Sequence, residues 1–182
     1  MNETRLISSN VAKAFRNLIL RTRPLDTIIS VPEYPIEIPG ITPADALDIG
    51  DCMGLLIPLT VPKRGIIYSA TLWDLDDEGL QIDLEVFKEP IVQIANDAPW
   101  SPTDTDMLKF VTEIAFFAFD DHINSQTSEV KNIGKAYTAP DGKFWIQAVA
   151  RGASNIAAGS SPRFQLHILP LDPDWEAPIR GD

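Results

Sequence analysis

The sequence has one cysteine, two histidines and no long apolar run, and each scarcity argues against a class of protein. A single cysteine, Cys52, excludes an internal disulfide framework, and its apolar setting in CMGLLIPL predicts a buried, unreactive thiol. The apolar runs are far shorter than the ~20 residues of a membrane-spanning helix. Polar residues interrupt the N-terminal MNETRLISSNVAKAF, so we expect no signal peptide.

Motifs that carry catalysis or cofactors are also missing. The sequence contains no G-x-x-x-x-G-K-[ST] phosphate loop, no H-E-x-x-H, no C-x-x-C and no G-x-S-x-G elbow. His122 and His167 have no second group of metal ligands near them, and acid pairs such as Asp104 and Asp106 are typical of solvated turns. We therefore expect a protein that is not an enzyme and holds neither metal nor cofactor, with a dispersed hydrolase triad as the weakest alternative.

One stretch, DLDDEGLQIDLE at residues 74–85, nearly matches the calcium-binding loop of an EF-hand. Apolar and polar residues alternate with a period of two on both sides of it, whereas a calcium loop needs flanking helices. The sequence therefore predicts two strands joined by a tight hairpin turn, in which Gly79 tolerates a positive φ. Weak, incidental calcium binding by the acids at 74–79 stays open.

Composition and charge describe an acidic globular protein with a basic N-terminus. Hydrophobic residues are 45% of the 182-residue chain, which is enough for a folded domain. The total charge is −11, yet residues 1–25 carry five basic residues against one acidic residue, a net +4 that leaves −15 for the rest. An acidic body disfavours nucleic-acid binding, so we expect the basic segment to contact protein. Its candidate interface residues are Arg5, Lys13, Arg16, Arg21 and Arg23.

The N-terminal segment combines a helical pattern with proline-rich chain. Apolar side chains, including Phe15, recur at helical spacing over residues 8–21, where a serine or asparagine can cap the helix. Five prolines follow before residue 44 and exclude a continuous helix or central strand, so TIISV and YPIEI are predicted as edge strands or extended chain. Residues 1–43 are thus predicted as a helix and an extended arm that docks on its own body or on a neighbouring subunit.

Residues 44–182 are predicted to form a β body. After PADALDIGD, which suggests one helical turn, segments rich in β-branched and aromatic residues alternate with Gly, Pro, Asp and Asn. The segments are GLLIPL, GIIYSATLWDL, LQIDLEVFKEP, KFVTEIAFFAF, NIGKAYTA, KFWIQAVAR and FQLHILPL. Because no helix-length segments alternate with them, we predict a mainly β protein, an antiparallel β-sandwich of the jelly-roll type.

Aromatic residues supply the remaining candidates for binding. In TEIAFFAF the phenylalanines face both ways, so Phe117 and Phe119 are candidates for a subunit interface, although a second sheet would also cover them. Trp100 lies in the proline-rich DAPWSPTDTD, where an exposed ring stacks on a sugar or anchors an interface. A tryptophan of the core or of a lid is the plainer interpretation.

Three stretches of the β body resemble a type of structural protein encoded by tailed bacteriophages. They are SATLWDLDDEG, the segment from APWSPTDTDMLKF to KFWIQAVARG, and PRFQLHILP, within about residues 60–170. The resemblance implies a virion protein, namely a capsid cement or decoration protein with a β-sandwich body. It further implies the major capsid protein as partner, a homotrimer, a place on the capsid surface after synthesis in the host cytoplasm, and no catalytic residues. The alternative is a tail or fibre module that binds host-surface glycans through loop aromatics.

Overall fold

The computed structural model describes residues 27–42, 46–77, 79, 81–157 and 159–172. The predicted helix at 8–21 lies outside these residues, as do Arg5, Lys13, Phe15, Arg16, Arg21 and Arg23. Among the described residues, no helix is long and apolar enough to cross a membrane.

The regular secondary structure of the described residues is almost entirely β-strand, which confirms the mainly β prediction. One short helix, α1, spans Asp104–Met107. The strands are β1 (Ile29–Glu37), β2 (Ala46–Leu47), β3 (Cys52–Thr60), β4 (Arg64–Asp74), β5 (Ile82–Phe87), β6 (Phe110–Phe116), β7 (Asp120–Asp121), β8 (Gln126–Val130), β9 (Lys135–Thr138), β10 (Lys143–Ala150), β11 (Ser154–Asn155) and β12 (Arg163–Pro170).

The strands form two main antiparallel sheets. The six-stranded sheet has the order β1-β12-β4-β8-β7, and β9 pairs with β4 beside this path. The four-stranded sheet has the order β3-β10-β5-β6, and the short β2 and β11 form a separate pair. Every described strand pair is antiparallel, as the lack of helical crossovers in the sequence predicts.

Both sheets contribute to one hydrophobic core. Leu72 of β4 and Phe164 of β12 are cross-strand partners in the six-stranded sheet, and Ile146 of β10 and Val86 of β5 are partners in the four-stranded sheet. All four are buried in the same cluster. Each large apolar side chain buried in this way stabilises the fold by about 1.5–3 kcal/mol, so the alternating apolar residues of the strands fix both sheets in place.

The proline-rich segment and its neighbours differ in part from expectation. TIISV and YPIEI contribute to one strand, β1, which among the described strands pairs only with β12 and is the predicted edge strand. β1 is hydrogen-bonded into the body although it lies within the predicted arm. The helical turn predicted in PADALDIGD is not seen where the chain is described: Ala46–Leu47 is β2, paired with β11. β8, in the polar stretch QTSEV, was not predicted, because its alternation is weak.

The EF-hand-like stretch is a turn, as predicted, but not a hairpin. The described residues of the stretch lie between and within two strands and contain no helix. The Asp74 carboxylate accepts the backbone N–H groups of Asp76 at 3.0 Å and Gly79 at 2.9 Å, and Gly79 has a φ of +65°. β4 lies in the six-stranded sheet and β5 in the four-stranded sheet, so the turn carries the chain from one sheet to the other. The hairpin prediction was wrong because each strand finds its hydrogen-bonding partners elsewhere.

Candidate functional site

β5 is buried on both of its faces. Ile82, Leu84 and Val86 point into the shared core, and the alternate residues Asp83 and Glu85 point to the opposite face of the four-stranded sheet. Both acidic residues are nevertheless buried. Since ionised carboxylates are seldom buried without partners, this face is where a functional group is most reasonably sought.

A loop covers this second face. Residues 88–103, called the covering loop below, connect β5 to α1 and run along the outer edge of β3. Cys52 donates its N–H to the Ala98 carbonyl at 2.8 Å, and its own carbonyl accepts the Asp97 N–H at 2.9 Å. The Trp100 N–H continues the series by donating to the Gly50 carbonyl at 2.8 Å. These backbone bonds hold the covering loop against the sheet.

The covering loop places Trp100 against the C-terminal half of β5 on this face. The Trp100 ring lies edge-on to Phe87, with ring centroids 6.1 Å apart, and Phe87 makes a similar contact with Phe110 at 5.7 Å. The Trp100 side chain also donates a hydrogen bond to Glu85. Trp100 is therefore half-buried and engaged inside the protein, and its proposed stacking on a sugar remains a prediction.

Beside Trp100 lies a cluster of three carboxyl groups and one guanidinium. Arg151, which follows β10, donates from Nε to Asp83. Its Nη2 lies 3.4 Å from a carboxylate oxygen of Glu85 and 3.9 Å from one of Glu113 on β6. These four residues, Asp83, Glu85, Glu113 and Arg151, are called the ionic cluster below. With every group charged, it has two more negative charges than positive ones.

The surroundings of Glu85 raise the pKa of its carboxyl group. Burial raises the pKa of Glu85 to about 7; the neighbouring charges of Glu113 and Asp83 add to the rise, while Arg151 and the Trp100 hydrogen bond oppose it. Burial lowers the pKa of Arg151, but the hydrogen bond and charge of Asp83, together with the charges of Glu85 and Glu113, outweigh burial and raise it. The cluster can therefore hold a proton on Glu85 near neutral pH.

The same burial affects the one cysteine. Cys52 is fully buried and its pKa is raised to about 12, first by burial and then by the charges of Asp51 and Glu85. A thiol with such a pKa is protonated at neutral pH and is a poor nucleophile and metal ligand. The prediction that Cys52 is buried is confirmed, and its pKa agrees with the low reactivity expected of it.

Gln147 adds a neutral oxygen to this region. It is the direct cross-strand partner of Glu85 and is fully buried. Its Nε2 donates to the Met53 carbonyl on β3 at 3.3 Å and to the Ala148 carbonyl at 3.1 Å. Its Oε1 is buried and accepts no hydrogen bond from the described residues, and the same is true of Asp83 Oδ1. Two buried acceptor oxygens without donors are unusual in a folded protein.

The structure separates the two phenylalanines predicted at an interface. Phe117, directly after β6, is 62% exposed, whereas Phe119 is partly buried and packs against the shared core. Phe117 is thus available for a contact with another protein, and Phe119 holds the chain beside it in place. Whether either residue contacts a subunit stays a prediction.

Sequence reasoning did not identify the ionic cluster. The alternation of LQIDLEVF predicts a strand in which Asp83 and Glu85 lie on the face opposite the apolar residues, but it does not show what covers that face. The sequence did contain an indication that this face is covered. Phe87 lies on the same face of the strand as Asp83 and Glu85, and a long proline-containing loop follows it. Those two features together indicate that the face is covered.

Ile123 is a second residue that the sequence did not single out. It is 86% exposed, and its φ is +78°, a left-handed conformation that β-branched residues seldom adopt. The backbone N–H of Ile123 donates a hydrogen bond to the Asp121 carboxylate at 2.8 Å, which helps to hold this conformation. Strained backbone of this kind is concentrated at functional positions, which makes Ile123 a further contact candidate.

Replacing Ile123 with asparagine is expected to raise the free energy of unfolding by about 1 kcal/mol, because asparagine tolerates the left-handed conformation. Urea denaturation of the two proteins measures the difference. Val92→Asn is the matched control, since Val92 is β-branched and 67% exposed but does not have a positive φ. A gain of the same size in both variants would mean that strain at Ile123 is not its cause.

Comparison of the chain with models of known protein families, with curated proteins and with solved structures finds no match.

Proposed function

We propose that this protein is a non-enzymatic structural protein of a tailed-bacteriophage virion, a capsid decoration protein that binds and stabilises neighbouring major capsid subunits. The proposal begins from the resemblance of the β body to such proteins. The observation that carries it furthest is the exposed Phe117 at the end of β6, the edge strand of the four-stranded sheet.

An edge strand ending in an exposed aromatic side chain is suited to binding protein. Among the described strands, β6 has one hydrogen-bonded neighbour, β5, so its other edge is not paired within either sheet. Sheet edges accept additional strands, and buried aromatic residues dominate the binding energy of many interfaces. Phe116 is fully buried and Phe119 packs on the core, so the backbone on both sides of Phe117 is anchored. A contact made there would lose little conformational entropy.

The fold and charge of the chain fit the same role. We propose that the two antiparallel sheets form a β-sandwich of the jelly-roll type, which gives a rigid body with a large surface. The basic segment at residues 1–25 is complementary to the acidic body, so it can dock on a neighbouring copy of the chain. The proposal includes a homotrimer on the capsid surface, as the resemblance implies.

Phe117→Ser is expected to weaken self-association and capsid binding by about tenfold or more, because an interface aromatic contributes at least about 1–2 kcal/mol. Light scattering at several concentrations measures the mass in solution, and co-sedimentation with assembled capsids measures binding. The same measurements on a chain without residues 1–24 test whether the basic segment holds the oligomer together. A trimer that dissociates on truncation would place that segment in the interface.

Tyr34→Ser is the matched control for Phe117→Ser. Tyr34 is an aromatic residue of equal exposure, 62%, but it lies on β1, the edge strand of the other sheet. Loss of assembly in Tyr34→Ser and not in Phe117→Ser would move the interface to β1. A wild-type monomer without affinity for capsids would overturn the proposed function.

Glycan binding is a second candidate, favoured by one observation on the six-stranded sheet. Trp73 lies on β4 between its cross-strand partners Arg163 and Thr127, and it is only partly buried. A tryptophan between two hydrogen-bonding side chains suits a sugar ring. A glycan array that gives a specific signal lost in Trp73→Ala would favour this candidate, and a signal lost in Trp100→Ala would return it to the covering loop.

A further inference from the structure

The ionic cluster has the dimensions of a calcium site. One carboxylate oxygen from each of Asp83, Glu85 and Glu113 can be chosen so that all lie within 4.8 Å of one another. Calcium binds oxygen ligands at 2.3–2.6 Å, so two oxygens on the same ion are at most about 5 Å apart. The three side chains come from β5 and β6, whose paired backbones hold them at this spacing.

Gln147 provides an independent indication that a cation belongs here. Its amide nitrogen donates to the carbonyl groups of Met53 and Ala148, and its cross-strand partner on β5, on the same face of the sheet, is Glu85. Oε1 is buried and receives no hydrogen bond from the described residues. Asp83 Oδ1 is likewise buried and receives no hydrogen bond from the described residues. Both atoms are acceptors, so what this region needs is a donor or a cation, and an amide oxygen is an ordinary calcium ligand.

Arg151 is the cation that the carboxyl groups contact in the structure. It supplies one positive charge to three carboxyl groups, which leaves two negative charges in excess when all are ionised. Its side chain is 31% exposed at the end of β10, so the guanidinium can turn toward solvent without disturbing the strand. A divalent ion would balance the carboxylates better than the single guanidinium does.

We propose that Asp83, Glu85 and Glu113 bind a calcium ion, with Gln147 Oε1 as a further ligand and with the Arg151 guanidinium displaced toward solvent. Calcium is preferred over softer metals because every proposed ligand is an oxygen. It is preferred over magnesium because ligands spread over separate strands suit a larger ion with flexible coordination better than a small octahedral one. The site would link β5, β6 and β10 beneath Trp100.

The test is calorimetric titration of the chelator-treated, full-length protein with calcium chloride, together with thermal unfolding with and without calcium. We expect one saturable site with a dissociation constant on the order of 10⁻⁴ M and a higher melting temperature with calcium. Glu113→Gln is expected to weaken binding by about tenfold or more, because it removes one charged ligand. Arg151→Met is expected to tighten binding by about tenfold, since it removes the competing cation.

Glu129→Gln is the matched control for Glu113→Gln. The side chains of Glu129 and Glu113 are similarly exposed, 43% and 49%, and Glu129 pairs with Lys131 away from the cluster. Its substitution should leave binding unchanged. No saturable binding by the wild type up to about 10 mM calcium would overturn the proposal. Undiminished binding by Glu113→Gln would also overturn it and would place the ion elsewhere, for example at the acids of residues 74–79. Both of these outcomes can be measured even if the Arg151→Met protein does not fold.

Discussion

Replacing Arg151 with methionine is expected to lower the free energy of unfolding by about 3 kcal/mol in calcium-free buffer. Methionine retains part of the apolar stem of arginine but lacks the positive charge that pairs with Asp83 and Glu85. Asp83 is only 4% exposed and Glu85 only 5% exposed. Leaving such carboxyl groups without a counter-charge destabilises a fold far more than removing a pair at the surface. Urea denaturation at pH 8 with EDTA measures the effect.

Arg64→Met is the control for this change. Arg64 forms an ion pair with Asp172 at 3.1 Å, but its side chain is 60% exposed, so its loss should alter stability by less than about 1 kcal/mol. A loss of the same small size in Arg151→Met would show that the ionic cluster contributes little to the fold. In a Glu85→Gln background the loss on removing Arg151 should shrink by about 1 kcal/mol, because one of its partners is then uncharged.

Replacing Glu85 with glutamine is expected to stabilise the protein by about 2 kcal/mol at pH 8 and to leave its stability unchanged at pH 4. Glutamine has the shape of glutamic acid and can still accept the Trp100 hydrogen bond, but it carries no charge beside Asp83 and Glu113. The gain arises because the ionised form of Glu85 is disfavoured in the folded protein.

The sign of the pH dependence follows from the raised pKa. The pKa of Glu85 is about 7 in the folded protein, against an ordinary value of 4.5, so the folded state binds this proton more tightly than the unfolded state does. The contribution of Glu85 to stability therefore falls as the pH rises from about 4.5 to about 7 and stays at the lower level above that. Glu85→Gln removes this decline, so its advantage over the wild type grows across the same interval.

Urea denaturation at pH 4, 6 and 8 in buffer with EDTA measures the difference between the two proteins. Glu129→Gln again serves as the control, because its exposed carboxylate is paired with Lys131 outside the cluster. A Glu85→Gln protein that is less stable than the wild type at pH 8 would contradict the expectation. It would mean that the attraction of ionised Glu85 to Arg151 exceeds the cost of its burial.

The class of fold could be read from the sequence because local signals agree with it. Alternating apolar residues and turn-forming glycines, prolines and aspartates mark the longer strands, and the structure has strands at each of those segments. The edge position of β1 was predictable because proline cannot donate to a neighbouring strand. The weakly patterned β8 and the short β2, β7 and β11 were not predictable, since tertiary pairing alone makes them strands.

The candidate site depended on contacts between residues distant in sequence. Arg151 lies 68 residues from Asp83 and 66 from Glu85, and no local pattern connects them. The alternation in LQIDLEVF was read correctly as a strand, but period two cannot tell a solvated face from one covered by a loop. The turn at Asp74 shows the same limit, because its residues specify a change of direction but not which sheet the next strand joins.

The sequence by itself therefore determined the composition of the core, the antiparallel β class, most strands and the buried state of Cys52, because these follow from burying apolar side chains at period two. Only the tertiary structure decided that β4 and β5 belong to different sheets, that the covering loop closes over β5, and that three carboxyl groups share one guanidinium. The physical reason is that pairing partners and charge partners are chosen by the free energy of the whole chain, whereas periodicity records only the preferences of neighbouring residues.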